Sequence, residues 1–193
     1  DYLFPLWRPG PSTAPETEKL RHSLVFVSTS LLGQVDASIG GKNGVNVADY
    51  KNMVGTFLQP RFVISDVEML RTLPRREFRA GMAEAVKSAI VGDAELFALI
   101  EESADDKLYS NDEALQSIVR GSVAVKSAIV AEDEREAGRR RVLNLGHTIG
   151  HAIEKSTHEL NHGEAVAVGI SMISRASVRM GIMAEECAER IDA

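Results

Sequence analysis

The chain has 193 residues, 44% of them hydrophobic and 26% charged, and a net charge of −6 from 22 basic and 28 acidic residues. That size admits one domain, or a small domain with an appendage, and that composition excludes wholesale disorder and a collagen-like repeat. The acidic balance argues against non-specific binding to nucleic acid, so an anionic ligand has to meet cations gathered locally against the global field.

In chain order, four of the six prolines fall at positions 5, 9, 11 and 15, and residues 1–22 read as an irregular arm. No basic leader followed by an apolar stretch opens the chain, so no secretory signal is expected. Ser23-Leu24-Val25-Phe26-Val27 reads as a strand, Thr29 to Asn52 as polar and irregular, and Arg61-Phe62-Val63-Ile64-Ser65 as a second strand. Asp66 is placed to cap a short helix ending near Pro74. Only helical patterns follow: Arg76 to Val91, a helix capped by Asp93 and running to about Ser103, and a third from a Ser110/Glu113 capping box to about Ala131. Val142 to Lys155 and Gly163 to Met180 complete the set. No apolar run reaches the roughly 18 residues that span a bilayer, so no membrane association is expected. The single cysteine, Cys187, excludes an internal disulfide framework and suits a reducing cytoplasm.

Chemistry concentrates in Gly146-His147-Thr148-Ile149-Gly150-His151 and Asn161-His162-Gly163-Glu164. These motifs place three histidines, His147, His151 and His162, within sixteen residues, and His147 and His151, four apart, share a helix face. Imidazoles from one helix and the start of the next are ordinary zinc-type ligands, with one of the three left for acid–base work. A carboxylate to complete the set is best supplied by Glu84, among small apolar residues and three before Lys87; a plain i,i+3 ion pair on a solvated face is the competing reading. Gly40-Gly41-Lys42 is a glycine turn presenting a lysine. It is not a phosphate-binding loop of the G-x-x-x-x-G-K-[ST] kind, because the spacing is absent and Asn43 follows the lysine. Lys126, the run Asp133-Glu134-Arg135-Glu136, and Arg139-Arg140-Arg141 lead into Asn144. Arg140 stands two helical turns before His147 if that helix extends back so far.

These segments resemble the 3-dehydroquinate synthases, a sugar-phosphate cyclase family. The matching text is STSLLGQVDASIGGKNGVN, YKNMVGTFLQP, TLPRREFRAGMAEAVK, VKSAIVAEDEREAG, RVLNLGHTIGHAIE and HGEAVAVG, in the family's order between Ser23 and Gly181. The resemblance implies a mainly α-helical metal-binding C-terminal domain of the dehydroquinate synthase-like α/β fold, at 75–193. It also implies a remnant of the N-terminal α/β nucleotide-binding domain at 23–74, the chain being truncated. It makes Glu84, His147 and His162 the ligands of a divalent metal, zinc or cobalt. Asp36, Lys42, Asn52, Lys87, Lys126, Arg140, Asn144 and His151 would surround substrate. Thr29, Ser30, Asp36, Lys42, Lys51, Met69, Leu70, Arg71 and Thr72 would touch NAD. The implied reaction turns 3-deoxy-D-arabino-heptulosonate 7-phosphate into 3-dehydroquinate and phosphate, with a small phosphorylated sugar acid as the partner, no nucleic acid or membrane, and a homodimer as the assembly. A metal-dependent polyol dehydrogenase of the same fold, and an inactive fragment that binds metal or a partner subunit, are the other readings. The family's glycine-rich pyrophosphate turn is not found, and Ser28-Thr29-Ser30 stands where the family has Pro-Thr-Thr.

Overall fold

The computed structural model describes residues 24–47, 50–103, 108–157 and 159–193, with the backbone alone at 46, 47 and 50–53. The predicted arm at 1–22 lies outside the described residues. Strand β1 (Val25–Ser28) pairs in parallel with β4 (Phe62–Ser65), from Val25 opposite Phe62 to Ser28 opposite Ser65. Both stand where the β-branched and aromatic runs predict them.

The stretch Thr29 to Asn52, expected to be irregular, is not. Leu31 and Leu32 begin a helical turn whose Gly33–Ala37 section is π-helical. A hairpin of β2 (Lys42–Val47) and β3 (Tyr50–Phe57) follows, antiparallel, with an irregularity between Val45 and Val47. The turn has no helical period because it is too short to show one; it forms because Leu31 and Val35, both fully buried, plug the core. Among the described residues the hairpin buries no side chain, and Val54 and Phe57 are each 53% exposed, so no alternation marks it for pattern reading.

Asp66 caps a 3-10 helix, Val67–Thr72, its carboxylate accepting from the Glu68 N–H at 3.0 Å. Helix α1 (Arg75–Gly92) and α2 (Ala94–Glu101) follow, Asp93 accepting from the N–H groups of Glu95 and Leu96. Helix α3 (Asp112–Glu132) is capped by Asn111, whose side chain accepts from Ala114 N at 3.1 Å, and not by Ser110. Its length and mean hydropathy of 1.2 would suffice to cross a membrane, but Leu115, Ile118, Val119 and Ile129 are buried inside the protein, so it is a core helix.

The expected helix from Val142 to Lys155 is broken in two. A 3-10 helix, Arg139–Asn144, stops before Gly146, whose φ of +76° suits glycine, and α4 (His147–Ser156) begins one residue later. Helix α5 (His162–Arg179) starts on His162 behind an Asn161 cap, and a further helix, α6 (Glu185–Asp192), was not foreseen. The main core joins Phe78, Ala85 and Ala89 of α1 to Leu115 and Ile118 of α3 and to Leu31 and Val35 of the π-helical turn. That packing carries Asp36 onto the helices.

Candidate active site

Three helices converge on Glu84. It lies mid-α1 and is fully buried, as is Lys87, at 2% exposure, so the reading of a solvated ion pair fails. Glu84 Oε1 stands 3.5 Å from His147 Nε2 at the start of α4 and 3.5 Å from His162 Nε2 at the start of α5. Ligand atoms about 2.0–2.1 Å from a tetrahedral ion stand about 3.3–3.4 Å apart, so these spacings match a shared metal. Among the described residues Glu84 Oε1 accepts no hydrogen bond, and a buried unpaired carboxylate oxygen is costly unless a cation meets it. The donor set therefore fits a divalent metal. His151, one turn along α4 and exposed, completes a cluster in which His147, His151 and His162 offer nitrogens within 4.8 Å of one another.

Each imidazole facing Glu84 is aimed by something behind it. His147 Nδ1 lies 3.1 Å from the carbonyl oxygen of Leu145. His162 is held by the capping box of Asn161 and Glu164, in which Asn161 Oδ1 accepts from Glu164 N at 3.0 Å and Glu164 Oε2 accepts from Asn161 N at 2.8 Å. Arg76 of α1 donates to both Glu164 oxygens at 2.7 Å, tying the helix of Glu84 to the helix of His162. The two helices touch at Gly163, where a Cβ would meet the carbonyl oxygen of Ala80 at 2.1 Å.

Charges alternate outward from this point. Lys87 Nζ pairs with Glu84 Oε2 and stands 3.4 Å from Asp36 Oδ1; Lys126 of α3 donates to Asp36 Oδ1 and to its carbonyl oxygen, both at 2.7 Å. Burial opposes the charged form of Asp36, but Lys126 and Lys87 outweigh it and hold the carboxyl far below its ordinary range. Burial likewise opposes the charge on Glu84, and the contacts with His162 and Lys87 leave it below its usual value. Lys87 moves up because Asp36 and Glu84 overcome its burial, whereas burial pushes Lys126 down. Burial lowers His147; the Glu84 contact raises His162.

Beyond Asp36 opens a cavity of about 610 Å³ lined in part by Asp36, Lys42, Lys126, Glu136 and Arg140. Arg140, 2% exposed, does not share a helix with His147; its guanidinium donates to the carbonyl oxygens of Gly40 and Glu134, clamping the glycine turn that presents Lys42. Lys42 pairs with Glu136, which also accepts from Asn144 Nδ2. Glu136 sits at a φ of 60°, a left-handed backbone that side-chain-bearing residues rarely adopt. Sequence reading left it within a charge run, and no spacing signal singles it out. Asn52 and Lys51 fall on β3, their side chains outside the described residues.

The segments expected to touch NAD leave one end of one sheet: Thr29 and Ser30 follow β1, and Met69 to Thr72 follow β4. The carboxyl ends of parallel strands are where α/β sheets take ligands, which fits one side of a dinucleotide site. Thr29 and Met69 are exposed there. Leu70 is not, at 1% exposure, so only its backbone is available, and Arg71 is paired with Asp112.

Residues 21–80 match the family described as 3-dehydroquinate synthase N-terminal, and residues 81–193 the family described as 3-dehydroquinate synthase C-terminal. A 3-dehydroquinate synthase of Dehalococcoides mccartyi is 47% identical over 170 residues, covering 88% of this chain and 47% of that protein. One from Campylobacter concisus is 48% identical over 171 residues, covering 88% and 48%. The chain spans about half the length of these curated relatives. Among solved structures, 2-epi-5-epi-valiolone synthase from Streptomyces hygroscopicus, with NAD+ and Zn2+ bound, superposes with a TM-score of 0.80 at 32% identity, covering 88% of this chain and 48% of that one. A 2-deoxy-scyllo-inosose synthase complexed with carbaglucose-6-phosphate, NAD+ and Co2+ gives 0.76 at 30% identity, covering 88% and 46%.

Proposed function

The chain belongs to the 3-dehydroquinate synthase family, and we propose that it carries that enzyme's metal- and substrate-binding machinery, acting on 3-deoxy-D-arabino-heptulosonate 7-phosphate to release phosphate and form 3-dehydroquinate. The observation that carries this reading is the single carboxylate oxygen of Glu84 facing two imidazole Nε2 atoms at 3.5 Å, beside a cavity edged by lysines. Identity of 46–48% to dehydroquinate synthases, against 30–32% to cyclases of other sugar phosphates, favours the dehydroquinate substrate.

Glu84, His147 and His162 would hold zinc or cobalt, and Thr29, Ser30 and Met69 to Thr72 would border NAD. The metal supplies Lewis acidity to vicinal oxygens, and NAD a reversible hydride acceptor. Lys42, Lys126 and Arg140 supply the cations that neutralise phosphate and carboxylate, which resolves how a chain of net charge −6 binds an anion. Lys87 and Lys126 keep Asp36 ionised against the cavity wall. His151, exposed and with its ring centroid 5.4 Å from that of His147, passes protons between the site and solvent at its imidazole nitrogens. Residues 75–193 form the metal- and substrate-binding unit and 23–74 the nucleotide-binding edge. The assembly is a homodimer and the location cytoplasmic. Phosphate release from the heptulosonate phosphate by the purified chain with NAD and zinc tests the reading; release that ignores removal of the metal overturns it.

A further inference from the structure

We infer that Glu154 is the positioning residue for His162. The inference rests on the metal centre proposed above. Glu154 follows His147 and His151 on α4 at the i, i+4, i+7 spacing of one helical face, so the face that presents two imidazoles also presents this carboxylate. Glu154 Oε2 lies 3.5 Å from His162 Nδ1, while His162 Nε2 faces Glu84 Oε1 at the same distance. The imidazole is thus bracketed by two carboxylates on two different helices. Glu154, with its side chain 13% exposed, is more sheltered than the ring it faces, which is 33% exposed.

A neutral imidazole has one N–H. Placing it on Nδ1 toward Glu154 leaves the lone pair of Nε2 turned to Glu84 and the centre, the orientation a metal ligand needs. His147 reaches the same tautomer through the Leu145 carbonyl. The two ligands therefore differ in the charge behind them: His162 has an anion at its back and His147 a neutral oxygen. The anion makes His162 the stronger donor of the two. Glu154 faces the nitrogen on the far side of the ring from the centre, so it acts through His162 and not as a ligand.

The test is metal loading of the chain and its E154Q and E154A variants with Zn2+ in competition with a chelator, and with Co2+ followed by visible absorption. The isosteric E154Q removes the charge and keeps the shape. It is expected to lower zinc affinity about tenfold to a hundredfold and to alter the absorption of the cobalt-saturated chain, with E154A losing at least as much. A purely structural role would leave the saturated cobalt spectrum unchanged. Equal zinc affinity and superimposable cobalt spectra in the parent and E154Q overturn the role of Glu154 and leave the centre standing. A parent chain that takes up neither metal overturns the centre and this inference together.

Discussion

Glu84 on α1 and His162 on α5 meet at 3.5 Å because the residue after His162 is a glycine laid against the backbone of Ala80. The contact is backbone on one side and Cα on the other, so neither can swing away. Gly163→Ala is expected to push the helices apart, to cost about 1–3 kcal/mol as an overpacked contact does, and to dismantle the metal centre. Thermal unfolding with and without zinc checks it: the parent gains melting temperature with zinc and the variant does not.

Metal uptake should divide the histidines. Glu84→Ala and His162→Ala are expected to bring zinc content per chain from near one to near zero, whereas His151→Ala keeps it close to one. Metal analysis of the purified variants decides, and equal losses at His151 and His162 would mean that all three imidazoles are ligands.

Lys87 separates two carboxylates, Glu84 and Asp36. Lys87→Met leaves both without their shared buried cation, and removal of one partner from a buried pair costs about 3–5 kcal/mol. Denaturant unfolding of the metal-free chain should show that loss. Zinc should narrow the gap, because a divalent cation restores positive charge beside Glu84.

The Arg76–Glu164 pair sets a pH dependence. Arg76 holds the Glu164 carboxyl down to about 2 from an ordinary 4.5. A depressed carboxylate contributes stability that is fully present above its unfolded value and is lost as pH falls through the folded one. The melting-temperature difference between the parent and Arg76→Ala is therefore expected to be constant near neutrality, to begin closing below about pH 4.5, and to shrink as pH falls through about 2 to the part owed to the bond Arg76 donates to the Glu159 carbonyl. Added salt shrinks it, since both side chains are partly exposed.

Parts of the candidate metal site were legible because spacing on helices translates into faces, with His147 and His151 four apart and Glu84 and Lys87 three apart, whereas the approach of Glu84 to His147 and His162, far along the chain, is the work of the fold. The glycines around those histidines were visible as letters, but their purpose, close approach of helices at Gly163 and a left-handed turn at Gly146, depends on partners far away in sequence. The hairpin escaped because its described side chains are not buried, so no alternation was imposed on them. Arg140 was found for its charge, but the helical link to His147, which required the helix to extend back past Val142, is absent because a 3-10 segment and a glycine intervene. Glu136 and Glu154 are ordinary surface-type letters whose meaning comes only from what the fold sets opposite them.

The row Glu84, Lys87, Asp36, Lys126 holds two carboxylates and two ammonium groups, so its formal charge is zero. A divalent cation seated among Glu84, His147 and His162 leaves that neutral row with two positive charges in excess. Arg140, also buried at the same cavity, adds a third, so a loaded site would attract a guest that carries both a phosphate and a carboxylate. Attraction of a polyanion is in this sense a property of the count of charges, set before any single contact to the guest is made.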